Sequence, residues 1–205
     1  MDELDILKKH WKENQKFPKL TQEEIRSMIH KKSSSIVMWI FIISIIEFII
    51  LNVIGYIIPN DKGVKTNIPL VESFLDKFEY LSILTSIIFV FLFYKNYRKI
   101  KVYSSSKELM TQIIKTKKTV NYYIYINIAF ILISLCFVFF SICYYEPTLL
   151  SENSKNIFVL IGVFIIITLF FIAIVWLFYK LIYGILLKKL TKNLKELEKI
   201  NEDPI

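Results

Sequence analysis

Four long apolar runs dominate the chain, and their length leaves few folds open to it. They cover residues 35–58, 80–94, 122–145 and 157–183. A helix needs about 20 apolar residues to cross a hydrocarbon layer of about 30 Å. The first, third and fourth runs meet that length. The second is shorter and recruits Phe78 and residues 93–97 at its ends. A soluble domain is about 45–50% apolar and interrupts its apolar stretches. This chain of 205 residues is 55% hydrophobic, with a mean hydropathy of +0.49. The pattern predicts an all-α, polytopic membrane protein with four transmembrane helices. It excludes a disordered chain, a disulfide scaffold and an ordinary soluble enzyme. Rings cluster near the predicted boundaries: Trp39, Tyr56, Tyr80, Tyr94, Tyr122, Tyr123, Tyr144, Tyr145, Trp176 and Tyr179. Amphipathic rings favour the headgroup level, which supports these ends.

Charge sets the orientation. Eight Lys and Arg precede the first run, eight fill residues 95–121 and six follow from Lys180, against three and one in the other two loops. Excess Lys and Arg mark the cytoplasmic side. Both termini and the middle loop are therefore expected in the cytoplasm of a bacterial inner membrane. The net charge of +8 reads as topology plus attraction to anionic lipid; the expected contact is the lipid bilayer and not nucleic acid. The acidic start, Asp2, Glu3 and Asp5, is unlike a signal peptide, so the first run is expected to stay as an uncleaved anchor. The predicted units are a cytoplasmic helical arm (1–34), a first transmembrane hairpin (35–95), a basic loop with an amphipathic helix (96–121), a second hairpin (122–184) and a cytoplasmic C-terminal helix and tail (185–205).

The same order of parts occurs twice. Thr21-Gln22-Glu23-Glu24 and Ser105-Ser106-Lys107-Glu108 are capping boxes, with a hydroxyl three residues before a Glu. Basic pairs follow, Lys31-Lys32 and Lys117-Lys118. Each next run ends in Ile-x-Tyr-x-x-Pro, at Ile54, Tyr56 and Pro59 and at Ile142, Tyr144 and Pro147. Each returning run ends in Leu-Phe-Tyr-Lys, at residues 92–95 and 177–180. Shared membrane boundaries explain such matches too. As a repeat, they predict two parallel hairpins related by an axis along the membrane normal.

Glu47 is the single ionisable residue well inside a run. Twelve residues beyond Ser35, it is placed about 18 Å along the helix, near the bilayer midplane. A charge there costs at least about 2.5 kcal/mol. Depth matching offers Thr85, Ser86, Ser134 and Thr168 as partners, with Ser44 one turn below on nearly the same face. Asn127, Ser134 and Ser141 fall seven apart on one stripe. Such a cluster is either interhelical glue or a proton or ion relay. All five prolines lie outside the runs, and only Gly55 and Gly162 lie inside, so broken transporter helices are not indicated. Cys136 and Cys143 share one helix about 10 Å apart, too far for a disulfide.

The cytoplasmic parts carry apolar stripes. Leu4, Leu7 and Trp11 share a face of a first helix, and Pro18 separates it from a second over residues 22–32. Leu109, Ile113 and Ile114 line a helix over 108–118. The fourth run is expected to continue as one helix to about Lys199, with Leu187, Leu190, Leu194 and Leu197 at heptad spacing. Three destinations stay open for these stripes: the chain's own helices, the lipid surface, or a partner, whether a cytoplasmic protein or a second copy.

No phosphate loop, nucleophile elbow or Cys/His ligand spacing occurs. His10 and His30 are the only histidines. No catalytic residue, metal or cofactor is expected. The stretch Met1-Asp2-Glu3-Leu4-Asp5-Ile6-Leu7-Lys8-Lys9, with Trp11-Lys12, Phe17-Pro18-Lys19-Leu20 and Lys31-Lys32-Ser33-Ser34-Ser35-Ile36-Val37, resembles a family of uncharacterised small four-span membrane proteins of bacteroidete-type bacteria. Some members carry a label of carotenoid-cleaving oxygenase. That chemistry uses four His on iron, and two His cannot supply it. The resemblance also implies a setting beside sigma-type regulators, which fits an adaptor. The leading expectation is a non-enzymatic inner-membrane protein that tethers or regulates a cytoplasmic partner through its arm and C-terminal helix. The alternative is a small transporter or proton-coupled channel built on Glu47.

Overall fold

The structure, a computed structural model, describes residues 21–57, 69–102, 105–145 and 154–202. All its elements are helices: α1 Gln22–Ile57, α2 Pro69–Val102, α3 Ser106–Tyr145 and α4 Ser154–Glu202. Each contains a stretch long and apolar enough to cross a membrane. They run up, down, up and down. α1 packs on α2, α2 on α3, α3 on α4, and α4 closes back on α1.

The helices are longer than their apolar runs. With 36, 34, 40 and 49 residues, they extend about 50–74 Å at 1.5 Å per residue. The separate helices expected at 22–32 and 108–118 are the first turns of α1 and α3. No Gly or Pro interrupts either junction, and inward positions stay small: Ser33 and Thr116 are buried, while Lys31, Lys32 and Lys118 are exposed. The first capping box is formed. Thr21 N–H donates to Glu24 Oε2 at 2.8 Å, and Glu24 N–H donates to Thr21 Oγ1 at 3.2 Å. The second region starts a helix too, with Leu109 N–H on the Ser105 carbonyl at 3.0 Å.

The basic end of the bundle is closed. Ile29 and Val37 of α1, Ile100 of α2, Leu109 and Ile113 of α3, and Leu190, Leu194 and Leu197 of α4 make one buried aliphatic core. Each such side chain contributes about 1.5–3 kcal/mol when taken fully out of water. This corrects the expectation of a partner seam on α4. Leu190, Leu194 and Leu197 are buried in the chain's own core, and Leu187 packs against the next cluster. Their spacing suits a seam, but the other three helices fill it. Leu4, Leu7 and Trp11 lie outside the described residues.

Polar pairs cross this end between the helices. Buried Asn193 donates from Nδ2 to Ser33 Oγ at 3.0 Å, tying α4 to α1. Gln112 Nε2 donates to Asn96 Oδ1 at 2.9 Å, and Asn96 Nδ2 to Thr119 Oγ1 at 3.2 Å, tying α3 to α2. The far half is looser, joined by ring contacts between α2 and α3 and between α3 and α4: Phe74 stacks on Phe137 and Phe139 on Phe164, while Phe78 meets Phe130 edge-on.

Gly184 lies inside α4, where a Cβ would meet only Lys180 Cγ at 3.6 Å, an ordinary contact. Gly184→Ala should therefore stabilise the bundle by about 0.5–1 kcal/mol through helix propensity. Thermal unfolding of the purified protein checks this; a lower unfolding temperature would contradict the free space at that site.

Candidate functional site

Glu47 projects from α1 into an aromatic layer above the aliphatic core. Tyr179 Oη donates to its Oε1 at 2.7 Å, and Tyr183 Oη donates to its Oε2 at 2.8 Å. Both tyrosines stand on one face of α4, four residues apart. Tyr123 of α3 interacts with the same carboxylate and both phenols. Its ring meets Tyr179 and Tyr183 edge-on, with centroids 6.0 and 5.8 Å away. Phe89 and Phe93 of α2 close the other side, at 5.3 and 5.5 Å from the Tyr123 ring. These edge-to-face contacts suit the ring quadrupoles and hold Tyr123 in place. All four helices therefore contribute to one cluster.

Among the described residues Glu47 makes no ion pair. Lys180 follows Tyr179 in sequence, yet its Nζ sits 4.4 Å over the Trp176 ring instead. An ionised carboxylate is acceptor-only and needs a donor at each oxygen. The two phenols supply one each. Hydrogen bonds to a charged group contribute about 1.5–3 kcal/mol, which offsets part of the cost of a partly buried charge.

A cleft of about 550 Å³ opens beside the cluster, in the looser half of the bundle. Tyr123 belongs to both. Asn52 of α1, Glu79, Ser82 and Ser86 of α2, and Asn127 and Ser134 of α3 line it, among Phe48, Phe78, Phe130 and Phe171. From Tyr123 to Ser134 the lining spans about 17 Å along α3. Its size is that of a small-molecule site, mostly apolar with a few placed polar groups.

The whole assembly lies inside one recognisable unit. A family model described as a domain of unknown function, DUF8845, matches residues 23–202. The chain belongs to that family. The match starts in the first turn of α1 and ends at the last residue of α4, so it includes Glu47, the three tyrosines and the cleft. No curated protein and no solved structure matches the chain.

The predicted polar residues take different places. Ser86 and Ser134 both line the cleft, but neither is a hydrogen-bond partner of Glu47. Thr85 donates to the Leu81 carbonyl at 2.8 Å, and Ser44, buried, donates to the Phe41 carbonyl at 2.7 Å; both bond within their own helices. Thr168 is buried on α4. Depth counting fails here because it treats each apolar run as starting at the same level. Side chains on a helix also lean toward its N-terminus, so Glu47 reaches down toward the basic end and meets Tyr123, Tyr179 and Tyr183. Boundary rings were the natural sequence reading of Tyr123 and Tyr179. One signal could have shown more: Tyr183, Leu190 and Leu197 are seven residues apart, and all three are buried.

Tyr183→Phe should cost about 1.5–3 kcal/mol, because it strips Oε2 of its donor. Tyr122→Phe, at an exposed neighbour of the layer, should cost under about 0.5 kcal/mol. Unfolding midpoints in one detergent compare the two; equal midpoints would remove Glu47 from its supposed dependence on the phenols.

Proposed function

We propose that the chain is an integral protein of the bacterial inner membrane, with four transmembrane helices and both termini in the cytoplasm. Four apolar helices and the concentration of Lys and Arg at one end support this. The repeated order of capping box, basic pair and run endings supports two parallel hairpins. The matched starts at Thr21 and Ser105 agree with it.

Within that frame the bundle acts as a small proton-coupled permeation or solute-binding device centred on Glu47. The observation that carries this is the shared position of Tyr123, in the Glu47 cluster and on the cleft wall. A lipid-facing groove has no use for Asn52, Glu79, Ser82, Ser86, Asn127 and Ser134 on its walls, whereas a hydrated path does. Protonation supplies the coupling. A neutral Glu47 becomes a donor at one oxygen, so one phenol must turn its own proton elsewhere. Tyr123 is the neighbour that can pass that change to the cleft. The chemistry suits a small polar or cationic solute, since among the described residues the cleft is lined by Glu79 and by no Lys or Arg.

A second reading is a tether for a cytoplasmic protein or a second copy. It rests on the basic end, where α4 exposes Lys188, Lys189, Lys192, Lys195 and Lys199, and on the apolar arm residues Leu4, Leu7 and Trp11. With the α4 leucines buried, a partner would meet the lysine face and the arm.

In proteoliposomes, a pH gradient should drive flux that Glu47→Gln reduces at least about tenfold, as expected when a positioned proton-transfer group is lost. Unchanged flux in Glu47→Gln, or none in the unaltered protein, rules this reading out. For the tether, native extraction and pull-down should lose a partner in Leu4→Asp/Trp11→Asp. Identical co-purifying proteins with both forms would remove the arm from any docking role.

A further inference from the structure

A second cleft opens at the basic end of the bundle, away from Glu47. It is about 650 Å³ and lies between the starts of α1 and α3 and the end of α4. Arg26 and His30 of α1, Lys107 of α3 and the serines Ser27, Ser105 and Ser106 line it. Leu109, Leu197 and Asn201 are also in its wall, with Glu23 as the opposing charge.

Two of these groups are left with work undone. Among the described residues, Arg26 Nε and His30 Nε2 are buried and have no hydrogen-bond partner. Natural structures rarely leave buried polar atoms unpaired; each of these atoms is shielded from the cleft in this pose, and a turn of its side chain toward the cleft brings it to a partner there. Arg26 is anchored on its other side, with Nη2 donating to Asn201 Oδ1 at 3.3 Å. Asn201 in turn donates to Met110 Sδ at 3.5 Å. The guanidinium is thus tethered at Nη2, and its Nε has no partner among the described residues. His30 in the tautomer with hydrogen on Nε2 adds a second donor within one turn.

We propose that this cleft binds a soluble phosphate-bearing anion. The donors are a guanidinium, an imidazole, an ammonium and three hydroxyls, more than one carboxylate ligand can use. A phosphate offers three strong acceptor oxygens and close to two negative charges. The start of α3, which brings Ser105, Ser106 and Lys107 to the cleft wall, adds a helix N-terminal field of the same sign, opposed by Glu108 in its first turn. The volume leaves room for an organic group beyond the phosphate. A lipid headgroup has the same chemistry but not the reach. Arg26 is nine residues below Ser35, where the first apolar run starts, about 14 Å along α1, whereas the headgroup layer adds only about 5–8 Å to each side of the hydrocarbon. This binding chemistry does not depend on the Glu47 reading.

The test is calorimetric titration of the full chain, in discs of neutral lipid, with inorganic pyrophosphate. Saturable binding is expected. Arg26→Gln and His30→Gln should each weaken it about tenfold or more, as for loss of a charge-assisted bond. Arg26→Lys should weaken it as well, since it keeps the charge but loses the fork. Glu23→Gln should tighten it, and Lys31→Gln, outside the cleft, should leave it unchanged. Unfolding temperatures without pyrophosphate show whether each variant is folded, and Arg26→Lys stands in if Arg26→Gln is not. No binding by the unaltered protein overturns the proposal, as does equal binding by all the variants. So does binding that weakens in Glu23→Gln, which would mark a cation site. Arg26-dependent stabilisation by discs containing phosphatidylglycerol, without any response to pyrophosphate, would overturn it in favour of a lipid headgroup.

Discussion

A carboxylate with no cation beside it among the described residues sets the terms for the middle of this bundle. Glu47 needs donors at both oxygens, and Tyr179 and Tyr183 provide them from α4. Two tyrosines on adjacent turns must then face inward. Their rings need a partner that fits edge-on, which Tyr123 provides, and Tyr123 in turn needs Phe89 and Phe93. One polar requirement on α1 thereby fixes the rotation of the other three helices. Apolar packing alone specifies rotation weakly, because many Ile and Phe positions are equivalent. Directional bonds to a single carboxylate are not.

Below that layer the forces change. The aliphatic core at the basic end gains from leaving water, and the pairs Ser33–Asn193 and Asn96–Gln112 fix its register. Above it the helices meet through stacked rings and leave a cleft. In the proposed membrane setting, that upper half gains nothing from hydrophobic association, because lipid tails are as apolar as its side chains. A tight lower half and a loose upper half follow from the same sequence in two solvents. The scarcity of Gly inside the runs adds to this, since close small-residue contacts are lacking.

Much of the fold was legible in the residues. Run lengths placed all four helices, and Thr21 with Glu24 placed the start of α1. The absence of Gly or Pro near Ser33 and Thr116 could have shown that α1 and α3 run through without a break. The site was half legible. Glu47 stands out by its charge alone, whereas its partners do not, because tyrosines near a boundary have an ordinary reason to be there. Relative height between helices is set by packing, and no single run contains that information. The leucines of α4 show the converse case. Their heptad spacing identifies a buried stripe but not what buries it, and the stripe goes to α1, α2 and α3.

The length of α4 gives the molecule a mechanical property. From Tyr183 to Glu202 it is a rigid arm of about 28 Å, with the Glu47 bonds near its pivot and Asn201, the anchor of Arg26, near its tip. A tilt of about 5° at the pivot would shift the tip by about 2.5 Å over that length. That exceeds the tolerance of a hydrogen bond. The buried Leu190, Leu194 and Leu197 and the Asn193–Ser33 bond lie between pivot and tip, and they are what holds Asn201 within reach of Arg26 against that leverage.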